Sequence, residues 1–86
     1  MIRTRSPALR GVRLREADLT GARFDGATIR DTDLSGAWLD GVSFRGTDLR
    51  GTDLSALDPK ANDVEGARIN PEQAMTIAAS LGMRLG

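Results

Sequence analysis

The sequence predicts an all-β solenoid, in which the chain winds into stacked coils, and three observations support this fold class. From Ala17 to Ala56 the chain reads in groups of five residues, each with a large apolar residue at its centre. A small or β-branched residue stands two positions before each centre, and glycine usually stands two positions after it. The central residues are Leu19, Phe24, Ile29, Leu34, Leu39, Phe44, Leu49 and Leu54.

A period of five residues fits neither an α-helix nor a flat β-strand. On a helix the central residues would spiral around the axis, and on a strand an odd step would place successive centres on opposite faces. The pattern is explained if the chain turns once in each group, with the centres inside and the glycines at the corners. If four sides close one coil, residues twenty positions apart stack, which places Phe24 over Phe44 and Thr32 over Thr52.

These groups resemble the repeats of pentapeptide-repeat proteins, whose family pattern is A(D/N)Lxx. ADLTG, TDLSG, TDLRG and TDLSA match that pattern closely, and the register can be followed from Leu9 to Ile69. Of the thirteen central positions in this range, twelve are apolar and only Pro59 departs. The resemblance implies a right-handed quadrilateral β-helix, filled by the central residues and by the small residues two positions before them.

The register divides the chain into three segments. Residues 1–6 lack the pattern, and we expect them to be disordered or to form an N-terminal arm. We expect residues 7–69 to form the β-helix, in about three coils, and residues 70–86 to form a short capping α-helix and tail. In the third coil Pro59 cannot donate a ladder hydrogen bond, so residues 58–63 are predicted to form a loop-like side.

The C-terminal segment carries a strong helix start. Asn70 is a favourable N-cap, Pro71 suits the first helical position, and Gln73 lies three residues after the cap. The spacing predicts a helix over 70–81 that covers the last coil, and Gly82 is placed to end it. The predicted covering face is made of Ala74, Ile77, Ala78 and Leu81, with help from Met83 and Leu85.

The N-terminal end of the stack has no comparable cover in the sequence. The first coil contributes Leu9, Val12 and Leu14, and an uncovered coil exposes both apolar side chains and unpaired backbone. Three explanations remain open: this end is a dimer interface, the chain is a piece of a longer protein, or residues 1–6 fold over it through Ile2.

Composition excludes several kinds of chemistry. The 86 residues have a formal net charge of zero and contain no Cys, His or Tyr. Disulfides, the commonest zinc ligands and the usual general base at neutral pH are therefore absent. No apolar run approaches the roughly 20 residues needed to cross a bilayer, so we expect a cytoplasmic protein without cofactor, metal site or membrane contact.

Charge is distributed unevenly along the chain. Residues 1–16 contain five arginines and one glutamate, a net charge of +4, whereas residues 17–66 contain ten acids and five bases, a net charge of −5. Either the ends of the chain attract the middle of a neighbour, or these charges form an ordinary solvated surface.

Recurring aspartates precede several central leucines. Their spacing is that of the repeat, so we interpret them as acceptors of local backbone hydrogen bonds and not as catalytic or metal-binding groups. They are Asp18, Asp33, Asp48 and Asp53.

Two outward-facing features are candidate interface residues. Arg10, Arg30 and Arg50 are twenty positions apart and should form a column that binds an acidic partner or phosphate, or that is simply solvated. Trp38 stands where aspartate is usual and should face outward, either as an interface anchor or as a surface covered by a chain terminus.

Two functions are consistent with this sequence. The first is a non-catalytic interaction or scaffold module with a protein partner, self-associating through its uncapped N-terminal coil. No nucleophile–base pair, phosphate-binding loop or cleft is apparent, so we expect no enzyme. The second follows from the resemblance, because some pentapeptide-repeat proteins mimic duplex DNA, bind DNA gyrase and protect it from toxins or quinolones.

The charge of the chain disfavours the second function. Duplex DNA carries one negative charge about every 1.7 Å, so a stack on the order of 15 Å tall would need roughly nine. The whole chain has no net charge. We also expect no direct binding of nucleic acid, because the arginines are not interleaved with aromatic residues.

Overall fold

The computed structural model describes residues 8–84 and 86, and its coils repeat every twenty residues. Strand β1 (Ala8–Arg10) pairs in parallel with β2 (Thr28–Arg30), with Leu9 opposite Ile29. Seven single bridges in the described part of the chain, all parallel, join other residues twenty positions apart. The predicted stacking register is confirmed. Regular strands are short because each five-residue side soon ends in a turn.

The core is a vertical stack of central residues. Ile29, Leu34, Leu39 and Phe44 of the second coil are buried. The ring of Phe24 lies on that of Phe44, with ring centroids 5.7 Å apart and an angle of 16° between the rings. Small residues two positions before each centre fill the remaining interior, as predicted. The buried members of this second set are Ala27, Thr32, Ala37, Val42, Thr47 and Thr52.

Most corners are tight turns closed by a backbone hydrogen bond. At one such corner the N–H of Val42 donates to the carbonyl of Leu39 at 3.0 Å, and Gly41 between them has φ +70°. Positive φ at the third residue of such a turn is the reason for glycine there. Two described corners lack glycine and still adopt positive φ, at Glu16 (59°) and Asp31 (55°).

The third coil departs from the repeat where the sequence predicts it. Leu57 is buried, and residues 58–62 form a turn in which the N–H of Asn62 donates to the carbonyl of Asp58 at 2.8 Å. The side-chain amide of buried Asn62 donates to the carbonyls of Leu39 (2.8 Å) and Val42 (3.1 Å) in the coil before it. The loop is therefore tied to the stack by a side chain.

The capping helix α1 (Pro71–Ser80) begins as predicted. Asn70 and Gln73 form a reciprocal capping box, with both hydrogen bonds at 2.8 Å. At the other end Gly82 has φ +80°, and the N–H of Met83 donates to the carbonyl of Ala78 at 2.9 Å. This pair of features is a Schellman motif, which satisfies the last carbonyls of the helix.

The face of α1 that covers the stack differs from the prediction. Gln73 is buried and Ile77 is half-buried, whereas Ala74 is exposed and Leu81 is 38% exposed. Met83 is exposed as well, so the predicted contributions of Ala74, Leu81 and Met83 to the lid are wrong. The side-chain amide of Gln73 donates to the carbonyls of Leu49 (2.6 Å) and Thr52 (2.8 Å), and these bonds orient the helix.

Some expectations fall outside the described residues. These are the N-terminal arm at residues 1–6, the possible cover formed by Ile2, the start of the first coil at Pro7, and the contribution of Leu85 to the lid.

Substitutions inside the stack should be far more damaging than those on its surface. We expect Leu34→Ala and Phe44→Ala each to lower the free energy of unfolding by about 2–5 kcal/mol, because both side chains are fully buried. Asp53→Ala should cost much less, because it removes one local hydrogen bond to the N–H of Ser55. Denaturant midpoints followed by circular dichroism would contradict the inward and outward assignments if this order were reversed.

A glycine at the first-coil corner should stabilise the protein. Glu16→Gly removes the cost of positive φ for a residue with a Cβ, and we expect a gain of up to about 1 kcal/mol in the free energy of unfolding. The matched control is Gly41→Ala, whose added Cβ would meet only ordinary contacts at 3.9 Å, so backbone strain alone should destabilise it. In thermal melts we expect Glu16→Gly to raise the melting temperature and Gly41→Ala to lower it. If both substitutions changed the melting temperature in the same direction, the strain argument would be excluded.

Candidate interaction surfaces

The described surface contains an open groove and no deep cleft. The groove, about 420 Å³ in volume, lies between the third coil and α1. Its acidic groups are Asp53 and Glu72, while the amide of Gln73 is already fully used by backbone partners. Among residues 8–84 and 86 no three acidic side chains converge in a way that could hold a metal ion.

The recurring aspartates serve the backbone, as predicted. Asp18, Asp33, Asp48 and Asp53 each accept a hydrogen bond from the N–H two residues later, at 2.9–3.2 Å. A side-chain hydrogen bond from Arg50 lowers the pKa of Asp48 far below its ordinary value. Hydrogen bonds from Ser35 and from Thr20 lower the pKa of Asp33 and of Asp18 in the same way.

One side of the coils presents four arginines, and we call it the arginine face. It is the side centred on Leu9, Ile29 and Leu49, and the backbone register places Arg10 beside Arg30 and Asp48 beside Arg68. Its charged outward residues are Arg10, Arg30, Arg50, Arg68 and Asp48, which together carry a net charge of +3.

Two arginines of this face differ in their pairing. Arg50 holds Asp48 through two hydrogen bonds, from Nε at 2.9 Å and from Nη2 at 2.8 Å. Arg30 is half-buried, and its Nε is shielded from solvent without a hydrogen-bond partner among the described residues. The predicted arginine column is therefore present, but only Arg50 is neutralised by a close carboxylate within the described chain.

The opposite side of the coils carries Trp38, and we call it the tryptophan face. Trp38 is 62% exposed and pairs through its backbone with Asp18. The described residues leave this ring open to solvent, so the prediction that it faces outward is confirmed. The remaining outward charges of this side are Asp40, Asp58 and Lys60, which together with Asp18 give a net charge of −2.

The first coil forms an N-terminal edge that is less buried than the coil beneath it. Leu9, Val12 and Leu14 are only half-buried, whereas the second-coil residues beneath them are buried. In the second coil the N–H groups of Asp33 and Trp38 donate to the first coil at 2.9 and 2.8 Å. The equivalent first-coil N–H groups, those of Arg13, Asp18 and Arg23, have no partner within residues 8–84 and 86.

The sequence reasoning missed that two methionines, one on α1 and one just after it, are exposed. Met75 is 54% exposed and Met83 is 65% exposed, and both lie away from the stack. The signal was available in the sequence, because Glu72 is the only charged residue of this ten-residue helix. A helix with one charge cannot present a polar face to solvent along its whole length.

The coil geometry agrees with known proteins. A family model described as pentapeptide repeats matches residues 9–46 and 29–58, in eight copies. No curated protein is significantly similar to the chain in sequence. In the described residues no helix has the length and apolar character needed to cross a membrane.

Solved structures with the same architecture include QnrB1, a plasmid-mediated fluoroquinolone resistance protein. Full-length QnrB1 is 24% identical with a TM-score of 0.67, over 91% of this chain and 39% of the QnrB1 chain. A trypsin-treated QnrB1 variant is 19% identical with a TM-score of 0.55, over 86% of this chain and 45% of the other. The chain thus spans less than half the length of these proteins. The likeness concerns the fold and supports the right-handed quadrilateral β-helix.

Acid should weaken the fold partly through Asp48. Because its pKa is lowered on folding, this carboxylate stabilises the protein above its ordinary pKa of 3.8, and the stabilisation is lost as the pH falls below that value. We expect Asp48→Asn to flatten the loss of stability between about pH 5 and pH 2. Asp40→Asn is the matched control, because the Asp40 side chain makes no hydrogen bond to the described residues. The free energy of unfolding at each pH is measured by urea titration. If it fell equally steeply with falling pH in both variants, this role of Asp48 would be contradicted.

Proposed function

Because the chain belongs to the pentapeptide-repeat family, we propose that it is a non-catalytic protein-interaction module that associates with a second copy through its N-terminal edge. The observation that carries this proposal is the difference between the two ends of the stack. Side chains cover one end, whereas half-buried leucines and a row of backbone groups form the other.

The C-terminal end is completed by groups that imitate a further coil. Inside the stack the hydroxyl of Thr52 donates to the carbonyl of Ile29, 23 residues earlier, at 2.6 Å. Asn62 donates to the carbonyl of Leu39 with the same separation of 23 residues, and Gln73 reaches that of Leu49 from helix α1. Gln73 thus satisfies the third-coil carbonyls of Leu49 and Thr52, which a fourth coil would otherwise cover. Asn62 does the same for second-coil carbonyls beneath the loop of the third coil.

The N-terminal edge would gain from a partner in two ways. Its leucines would lose the remaining contact with water, which is worth about 25 cal/mol for each Å² of apolar surface. Its backbone groups would enter a ladder of the kind already present between the coils. A second copy brings an identical edge, so a two-fold pairing satisfies both edges at once.

Several features favour a binding role over catalysis. The sequence contains no His or Cys. The recurring carboxylates are engaged in local hydrogen bonds, and the coils are filled by their own side chains, so the surface is a set of flat faces. We also propose a cytoplasmic location and no cofactor, consistent with a chain that lacks cysteine.

A second candidate function is protection of a DNA-binding enzyme such as gyrase by DNA mimicry. It is supported by the likeness of fold to QnrB1, a fluoroquinolone resistance protein. The surface charge disfavours it, because the arginine face carries +3 and the chain as a whole is neutral. A protein that mimics DNA needs acidic side chains spaced along the stack about as closely as the phosphates of duplex DNA. Gyrase supercoiling assays with and without the protein, at several salt concentrations, test this candidate directly.

Sedimentation of the full chain tests the proposed self-association. We expect a dimer at concentrations of about 1–100 µM that persists at high salt, because the N-terminal edge is mainly apolar. Leu14→Lys should shift the protein to monomer, since it places a charge on that edge. Circular dichroism and thermal melts show whether the variant retains its fold, and Val12→Lys is a second variant of the same edge.

Met75→Lys is the matched control for this experiment. It replaces an exposed apolar residue at the opposite end of the molecule, and we expect it to leave the dimer intact. A monomeric wild-type protein would overturn the self-association. A dimer that is lost in Met75→Lys and kept in Leu14→Lys would instead assign it to the outer side of α1.

A further inference from the structure

The arginine face and the tryptophan face lie on opposite sides of the coils and carry opposite charges. Each coil contributes two outward residues to a face, one just before the central residue and one just after it. On the arginine face, the positions after the centres are occupied by Arg10, Arg30 and Arg50. On the tryptophan face, the backbone register places Asp18 and Trp38 at the positions before the centres of the first two coils. In the third coil, Asp58 follows twenty positions after Trp38 in the sequence and begins the turn of residues 58–62.

Opposite sides of a four-sided coil run in opposite directions, because the chain reverses as it goes around. If a second copy is placed beside the first by a sideways shift without rotation, the arginine face of one meets the tryptophan face of the other. The facing sides are then antiparallel. Residues after the centres on one face therefore meet residues before the centres on the other, coil by coil.

This simple shift matches every charged or aromatic position in the arginine column. In the first coil Arg10 meets Asp18, and in the second coil Arg30 meets Trp38. In the third coil Arg50 meets Asp58. We propose that copies of this chain associate side by side in this way, with the arginine face of one against the tryptophan face of the next.

The second column of each face adds one complementary pair of charges, in the third coil. In the third coil Asp48 meets Lys60, so Arg50, Asp58, Lys60 and Asp48 alternate in sign across the contact. Within one chain Asp48 and Arg50 are already joined at 2.8 Å, and the N–H of Lys60 donates to the Asp58 carboxylate at 2.9 Å. The Asp48 and Arg50 charges are therefore fixed against each other before the copies meet, and the carboxylate of Asp58 is oriented by a backbone N–H.

The middle of the contact pairs a cation with an aromatic ring. Trp38 is 62% exposed, and Arg30 forms no ion pair with the described residues. A guanidinium over an indole is attracted by the ring quadrupole and excludes water from the centre of the contact. Without a partner, the exposed indole of Trp38 remains in water.

Lateral association has different properties from pairing at the N-terminal edge. Two different faces meet, so each added copy leaves a free arginine face and a free tryptophan face, and a row grows instead of a closed dimer. The contacts are exposed ion pairs, which are weak and are screened within about 10 Å at 0.1 M salt. Rows should form at low ionic strength and high concentration, whether or not the N-terminal edge pairs.

Charge reversal in the full chain tests this arrangement by sedimentation velocity at low and high salt. Wild-type protein should increase in average mass with concentration at low salt and lose this increase at about 0.5 M salt. Arg10→Glu and Asp18→Arg should each weaken lateral association by about tenfold or more, because each puts like charges in contact. An equimolar mixture of the two variants should recover it, since each variant then supplies the sign that the other needs.

Arg23→Glu is the matched control, because it makes the same charge change on a side that belongs to neither face. Arg23 pairs with Asp25 at 3.5 Å, and its reversal should leave lateral association unchanged. Arg10 is exposed and forms no ion pair with the described residues, so its variant decides the test even if Asp18→Arg is less stable. Thermal melts show whether each variant is folded.

Trp38 provides a second readout at the contact itself. The chain contains one Trp and no Tyr, so intrinsic emission reports on this ring alone. We expect the emission of wild-type protein to change with concentration at low salt, and Arg30→Gln to reduce that change. A mass that does not depend on salt, a mixture that fails to recover association, or unchanged emission during association would each overturn the lateral contact. If the protein formed a salt-resistant dimer but no rows, the lateral contact would be overturned, while the proposed pairing at the N-terminal edge would remain supported.

Discussion

The backbone register of twenty residues is the constraint on which the rest of this structure depends. Neighbouring coils exchange backbone hydrogen bonds along their sides, except at the loop of the third coil, and these bonds hold equivalent residues directly above one another. Once Leu9 lies over Ile29 and Phe24 over Phe44, the interior is a stack of matched side chains. Any shift by one residue would turn the centres outward. The corners enforce the register, because positive φ recurs at the same place in most groups, from Gly11 to Gly51 and again at Gly66.

The two ends of such a stack lack a neighbouring coil on one side, and in this chain the two ends differ in structure. At the C-terminal end, the amide of Gln73 in α1 occupies hydrogen-bonding positions that a further coil would use, and the amide of Asn62 joins the loop of the third coil to the second coil. The first coil is less buried, and its outer backbone has no partner among the described residues. Within the described residues, the N-terminal edge is therefore the part of the stack whose backbone is available for pairing along the axis.

The outward residues on the sides of the stack are less constrained than the inward ones. Because the inward positions are committed to the core, the outward positions can vary without changing the fold. They carry arginines on one side and acids around Trp38 on the opposite side, in an order that matches under a simple translation. The two contacts that we propose between copies are thus independent, one along the axis through apolar and backbone groups and one across it through charges.

The sequence by itself determined the coils, their register, the outward position of Trp38, the loop at Pro59 and the start of α1. Each of these follows from a local rule, such as the five-residue period, the missing donor of proline or the capping box. The tertiary structure alone decided which side of α1 faces the stack, because the anchor is the polar side chain of Gln73 and not an apolar stripe. It also decided that Arg50 is neutralised by Asp48 while Arg30 is not, since side-chain partners depend on distances that the spacing of residues does not specify.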